Sequence, residues 1–322
     1  MGRVDSNFAS VASAMPSHAR DNISNNSVHI CVCICTYKRS QLLKRLLAEL
    51  ARQETGGLFS YSIVVSDNDQ LRSAEAVVCD FTAVSSIPIK YCVEPQQNIS
   101  RARNKAVENA KGDFIAFVDD DEFPADRWLL TLLKTCYEYG VDGVLGPVKR
   151  HFDEKPPNWL VKGGFYERPT HQTGFVMTWQ EGRTGNLLIK TAILPAGEPP
   201  FRPEFRAGED QDFLRRMIEK GHVFIWCNEA VVYEVVPPAR WKPTYMLRKA
   251  LLRGQTASLQ PLEVLDIAKS VIAIPTYAAC LPFIALLGRH RFVDLLVRLF
   301  DHLGKLLGLI GINPIKEPYV AG

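Results

Sequence analysis

The chain has 322 residues, 47% hydrophobic, 10% aromatic and 23% charged, with a formal net charge of +3. That apolar content excludes a disordered or low-complexity protein, whose few hydrophobes would not offset the entropy of ordering. The length suits one large domain or two modest ones. The near-balanced charge hides an asymmetry: residues 240–322 carry 11 Lys and Arg against 5 Asp and Glu, and the rest of the chain sums to −3. A basic tail on a mildly acidic body predicts an anionic partner surface. No Lys/Arg run of the nucleic-acid type occurs, so a membrane is expected and nucleic acid is not.

Residues 1–27, rich in Ser, Asn and Ala, lack the apolar core of a signal peptide and read as a loose N-terminal tail. Val28–Thr36 is a near-continuous apolar run, the pattern of a strand covered on both faces. Within it Cys31, Cys33 and Cys35 alternate onto one face. With no CxxC and no His or Cys spacing of the zinc type, the eight cysteines read as small buried hydrophobes in a reducing compartment. Ser40 is expected to cap a helix with Leu42, Leu43, Leu46, Leu47 and Leu50 at helical spacing, ending near Gly56 and Gly57.

Strands at 61–66, 87–93 and 113–118 then alternate with helices at 74–81, 101–110 and 125–139, and a further strand is expected at 142–148. This alternation needs crossover connections. It predicts an α/β fold whose mostly parallel, Rossmann-like sheet carries helices on both faces, with ligands at the carboxyl ends of the strands. Residues 149–184, rich in Pro, Gly and aromatics, read as a long shaped loop. Order returns with a strand at 186–190, a helix at 209–220 and strand-like runs at 222–227 and 230–236. From Ser270 to Gly288 no charge occurs, and Pro275 and Pro282 interrupt the run. It reads as an apolar helical segment, continuous or broken at its prolines, that spans a membrane, lies on one, or is buried, followed by basic residues and an amphipathic stretch.

Four polar groups fall at the predicted ligand edge. Asp119-Asp120-Asp121-Glu122 follows a buried strand. Strand alternation places Asp119 and Asp121 on one side and Asp120 elsewhere, giving hard oxygens suited to Mg²⁺ or Mn²⁺ on a diphosphate. Glu209-Asp210-Gln211-Asp212 opens a helix, where it either favours the positive helix end or supplies a general base. Asn98 to Asn104 begins another helix, whose free N–H groups and Arg103 suit phosphate, with Asn98 or Ser100 as cap. Thr36-Tyr37-Lys38-Arg39 and Asp67-Asn68-Asp69 end the first two strands and suit a nucleotide base. Gly-rich phosphate loops are absent.

In this order, CICTYKR at 33–39, VVSDND at 64–69, NISRARN at 98–104, FVDDDE at 117–122, GNLLIK at 185–190 and GEDQDF at 208–213 resemble the family 2 glycosyltransferases, over roughly 28–255. The subgroup it resembles is the bacterial exopolysaccharide transferases of the succinoglycan type. The resemblance implies the GT-A fold over 28–255, with 256–322 as an apolar and basic membrane-associating region. It implies inverting, metal-dependent transfer from a nucleotide sugar, a UDP-sugar, to a lipid-linked or glycan acceptor at the inner face of the cell membrane. Thr36, Tyr37, Arg39 and Asp67 would cradle the base, and Asn98 and Arg103 would approach the nucleotide and its phosphates. In the DxD pattern Asp119 would lie near the ribose and Asp121 would ligate Mg²⁺ or Mn²⁺; Asp210 would be the catalytic base.

Two departures stand out. The stretch where many relatives carry a metal- or phosphate-binding His reads Val231-Val232-Tyr233-Glu234, and Pro237 stands at the Gln position of the processive QxxRW motif that Arg240-Trp241 would complete. The second departure favours one sugar per encounter. Trp159, Phe165, Tyr166 and Trp179 are expected to pack or to stack on acceptor sugars. Two other functions share these features: a nucleotidyltransferase, and a non-catalytic membrane-associated scaffold that binds nucleotide sugars.

Overall fold

Alternation along the first apolar run sets up the sheet. Strand β1 (Val28–Thr36) turns Ile30, Val32 and Ile34 into one hydrophobic cluster, and Cys31 and Cys33 into a second on the other face. The computed structural model describes residues 28–205, 208–259 and 264–315, so the tail expected at 1–27 lies outside the described residues. Two compact units divide the chain. The first comprises the described residues up to Lys149, Arg168–Pro203 and Asp210–Glu234; the second comprises Arg150–Glu167, Glu204–Glu209 and those from Val235 onward.

In the first unit β1 is followed by α1 (Ser40–Leu50), β2 (Phe59–Asp67), α2 (Glu75–Val84), β3 (Ile89–Val93), α3 (Ile99–Asn109), β4 (Phe114–Val118), β5 (Glu122–Pro124), α4 (Trp128–Tyr139) and β6 (Gly143–Leu145). After β7 (Val148–His151) and the short α5 (Asn158–Lys162) come β8 (Asn186–Lys190), α6 (Glu209–Glu219), β9 (Phe224–Trp226) and β10 (Val232–Val235). The main sheet has the order β3-β2-β1-β4-β8-β6-β9. All neighbouring pairs are parallel except those of β8, which runs antiparallel to both β4 and β6. The mostly parallel sheet is as expected from the strand–helix alternation. The reversed strand β8 follows the long loop, where that alternation stops.

Helix α1 takes Ser40 as its first residue, with Arg39 rather than Ser40 at the cap position, and buries Leu43, Leu46, Leu47 and Leu50 on the side of β1 that carries Ile30, Val32 and Ile34. Helix α4 ends at Gly140, which sits at φ 64°, a left-handed conformation that costs glycine little. The strand expected over 142–148 is two strands, because Gly146-Pro147 interrupts it and Pro147 has no N–H for a ladder. Strand β7 joins a smaller three-stranded sheet of order β5-β10-β7.

Gly146 marks the tightest approach behind the site. A Cβ there would lie 2.3 Å from the Ala230 carbonyl oxygen and 2.6 Å from Asn186 Nδ2. Asn186 is a buried hub: its Oδ1 accepts from Trp128 Nε1 (2.8 Å), and its Nδ2 donates to the carbonyls of Ala230 (2.7 Å) and Pro147 (3.1 Å). Gly146→Ala is therefore expected to destabilise the protein by about 1–3 kcal/mol, read as a lower urea midpoint. An unchanged midpoint would mean that β6 shifts freely.

The second unit is helical: α5, then α7 (Pro243–Ala257), α8 (Val264–Ala285) and α9 (Arg289–Leu309). Pro243 at the first position gives α7 a ready start. Gly254 of α7 and Gly304 of α9 let these two helices touch at the backbone: a Cβ on either would meet a carbonyl of the other helix, at 2.1 Å and 2.3 Å. Arg253 and Asp301 pair across the same crossing. Trp159, Phe165 and Tyr166 pack, partly buried, with Leu160, Met246 and Val293 in this unit. Trp179 packs against the cluster that holds Cys31 and Cys33. Of the continuous and the broken forms open to the apolar segment, the structure has one continuous helix, α8, with Pro275 and Pro282 inside it.

Candidate functional site

Register levels the carboxyl ends of the parallel strands. Thr36 stands opposite Asp67, and Asp67 opposite Val93. The reversed β8 begins at this edge, with Asn186 opposite Val118. The acidic run leaves β4 here in a tight turn, closed by the Glu122 N–H donating to the Asp119 carbonyl at 3.0 Å. Because β4 ends at Val118, the strand alternation expected for the carboxylates does not continue into the turn. Arg39 Nη1 reaches both Asp120 (2.8 Å) and Asp121 (3.3 Å), while Arg103 Nη2 meets Asp119 at 3.2 Å. Thr36 donates its hydroxyl proton to Asp120 at 2.8 Å. Thr36, Arg39, Asp120 and Asp121 thus form one cluster, and Arg103 and Asp119 an adjoining pair.

The turn is crowded with negative charge. Glu122 is buried, accepts the Asp119 N–H at 3.0 Å and lies opposite Glu234 in the β5–β10 pair, where Arg168 pairs with Glu234. A Cβ at Gly185 would come within 2.6 Å of Glu122 Oε1, so glycine makes room for this carboxyl. Burial pushes Asp120 up to about 6 against the pull of Arg39, with repulsion from Asp121 adding to the rise. Burial, then Asp119 and Asp121, raises Glu122 well above the usual carboxylate range. Three guanidiniums face five carboxyls across these pairs.

A donor set of that sign and hardness fits a divalent cation. Among the described residues no three His, Cys, Asp or Glu side chains form a closed metal site. Asp119 is the open member of the set, with its side chain 41% exposed against 8% for Asp121.

At the base end, Lys38 adopts φ 54°, an uncommon left-handed conformation for a side-chain-bearing residue, and its N–H meets Ser73 Oγ at 3.2 Å. Tyr37 is half-buried beneath the Lys38 ammonium. Asp67 is fully buried: Oδ1 accepts the Asp69 N–H (3.0 Å), and Oδ2 accepts the Ala74 N–H and the Tyr91 hydroxyl (both 2.8 Å). Its carboxylate organises the loop from 67 to 74. Asn68 Oδ1 accepts the Asn98 N–H at 2.8 Å, which links the second strand end to the start of α3.

Asn98, not Ser100, caps α3, its side chain accepting the Arg101 N–H at 3.1 Å. It also donates from Nδ2 to the Pro203 carbonyl, and Asn104 grips Phe201 through both backbone groups, so residues 201–203 lie along the start of α3. Arg103 is buried with its guanidinium 5.7 Å from the Phe201 ring.

The second acidic cluster divides by burial. Asp212 is fully buried, with Arg215 (3.1 Å), Arg216 (2.9 Å) and Arg202 (3.6 Å) around it, and so anchors α6. Asp210 is half-buried, and its Oδ1 accepts the Gln211 N–H at 2.8 Å. Among the described residues no hydrogen bond or ion pair joins it to the Asp119–Asp121 turn. Further along the same edge, a cavity of about 240 Å³ is lined by Leu145, Trp226, Asn186, Arg168, His171 and Gln180 among others. Trp226 Nε1 is buried there without a hydrogen-bond partner, and His171 stacks on Phe175 and pairs with Glu181 at 3.0 Å.

Sequence reasoning passed over the roles of Asp120, Glu122, Arg168, Glu234 and Tyr91. The first two stand inside the quoted motif. The other three have no local signal, since their partners lie 24 to 112 positions away.

Residues 31–187 match the family model described as glycosyl transferase family 2. The chain is 32% identical over 307 residues to the succinoglycan biosynthesis protein ExoM of Rhizobium meliloti (strain 1021), covering 91% of this chain and 96% of that protein. Among solved structures, it is similar to the mannosyltransferase PcManGT from Pyrobaculum calidifontis, in complex with GDP-Man and Mn²⁺. That match has a TM-score of 0.61 at 15% identity and covers 89% of this chain and 88% of the other. It is also similar to S. aureus TarS 1-349 in complex with UDP, with a TM-score of 0.50 at 18% identity over 88% and 90% of the two chains.

Proposed function

The chain belongs to glycosyl transferase family 2 and has the GT-A architecture, and from that premise we propose that it is an inverting, divalent-metal-dependent enzyme of exopolysaccharide assembly. The donor is a nucleotide sugar, a UDP-sugar, and the acceptor a lipid-linked or glycan chain at the cytoplasmic face of the membrane. The observation that carries this reading is the Asp119–Asp121 turn at the carboxyl edge, held between Arg39 and Arg103.

Thr36, Tyr37, Arg39 and the loop organised by Asp67 hold the base. Asn98 and Arg103, at the start of α3, face the nucleotide and its phosphates. Asp121 would hold Mg²⁺ or Mn²⁺, with Asp119 beside it near the ribose; bound there, the ion supplies positive charge to the departing diphosphate. Asp210 takes the proton from the acceptor hydroxyl as that oxygen attacks C1 of the sugar, on the face opposite the departing diphosphate. Inversion follows, and no covalent nucleophile is needed. The cavity beside Trp226 and Arg168 offers an acceptor subsite with one unused donor, Trp226 Nε1. Pro237 in place of the processive Gln supports one sugar per encounter.

The test is nucleotide release from a panel of UDP- and GDP-sugars, with Mn²⁺ or Mg²⁺ and with chelator. Release of nucleoside diphosphate from one donor, lost on chelation, is expected. Pyrophosphate released from a nucleoside triphosphate would make the protein a nucleotidyltransferase. Donor binding without turnover across the panel would make it a scaffold.

A further inference from the structure

Helix α8 presents an apolar surface that its own unit leaves uncovered. No charge occurs between Lys269 and Arg289. One stripe docks on α9: Ser270 is fully buried, its Oγ 3.0 Å from His302 Nδ1, and the Tyr277 and His302 rings lie 5.8 Å apart. Elsewhere Leu265, Ile272, Phe283 and Leu286 are each at least 65% exposed. A continuous apolar face of this length is rare on a soluble monomer and marks a surface that something covers.

By length and composition α8 is able to cross a membrane. Its packing argues against crossing. The α8 residues Ser270 and Tyr277 meet α9 at His302, next to Asp301, which is paired with Arg253 of α7. The glycine crossing at Gly254 and Gly304 ties α7 to the same part of α9. If α8 crossed, Asp301, His302 and Arg253 would be drawn into hydrocarbon, where each ionisable group costs several kcal/mol.

We infer that α8 lies in the plane of one leaflet, its exposed face among the acyl chains and its basic ends at anionic headgroups. This deepens the membrane placement proposed above and is independent of the catalytic assignment. Charge selects the occupant. Arg289 and Arg291 stand exposed at one end of the apolar stretch, Arg289 over the Trp159 ring at 4.8 Å, and exposed Lys269, 3.4 Å from Asp266, stands at the other; long basic side chains of this kind reach lipid phosphates.

The experiment uses the full chain and vesicles of phosphatidylcholine with or without phosphatidylglycerol. Flotation with the anionic vesicles is expected, weakened about tenfold by Arg291→Glu and about 100-fold by Phe283→Glu with Leu286→Glu. Nucleotide release in solution should be unchanged in all these variants, which separates failure of this inference from failure of the catalytic reading. Orientation is read with Val264→Cys and Leu287→Cys, each in a background where the exposed Cys79 and Cys280 are Ser. An impermeant maleimide added outside bound vesicles should label both positions. Labelling at Val264 alone would show a crossing helix and overturn the in-plane placement. No flotation, with a dimer in solution that Phe283→Glu dissociates, would show that a second copy covers the face and would overturn the inference outright.

Discussion

Asp210→Asn is expected to slow sugar transfer by about 1,000-fold, within the range general-base removal produces, while donor affinity stays within about twofold. Asparagine keeps the size of the side chain and an oxygen able to accept the Gln211 N–H, so the start of α6 should hold. The amide has no basicity with which to take the acceptor proton. The measurement pairs steady-state transfer with donor titration by calorimetry. Asp212→Asn is the control, because Asp212 is fully buried among three arginines and should lower stability instead. Normal turnover in Asp210→Asn would remove the base from this position.

The second large effect belongs to Asp121→Ala, expected to lower metal-dependent nucleotide release by on the order of 1,000-fold, the scale of losing a main electrostatic contact to the leaving group. Folding should survive, because Arg39 keeps its 2.8 Å contact to Asp120 and Thr36 keeps its own. Nucleotide release measured against Mn²⁺ concentration, alongside the urea midpoint, separates the two effects. Near-normal release at saturating Mn²⁺ would dismiss Asp121 as a metal ligand. Asp119→Ala should act more mildly and mainly on donor KM, since this carboxyl is the solvent-facing one of the turn.

Much of this architecture is legible in the sequence because parallel strands buried on both faces announce themselves. VHICVCICT and DFIAFV leave little alternative to central strands, and both are strands of the main sheet. The leucines of α1 carry a local signal of equal clarity, whereas the cap of α3 stays open between Asn98 and Ser100 until the fold settles it. What escaped were relations between distant residues. That Asp120 sits with Asp121 on Arg39 follows from the chain leaving β4 at Val118, which alternation alone does not reveal. The partnership of Arg168 with Glu234 spans 66 positions and joins a loop to a strand. Aromatics in 149–184 look alike on paper; only three-dimensional packing separates Trp159, Phe165 and Tyr166, set around Leu160, from His171 and Phe175 near the cavity.

The reversed strand β8 has a consequence for how the sheet assembles. Strands β3, β2, β1 and β4 form a ribbon from residues 28–118, whereas β6 and β9 pair with each other and, among the described residues, join that ribbon's hydrogen-bond ladder through Asn186–Lys190. Five residues therefore act as a zipper between two halves. Loosening them would break the ladder between the halves, while the two clusters that hold Ile30 with Ile225 and Phe117 with Phe224 would still bind one half to the other.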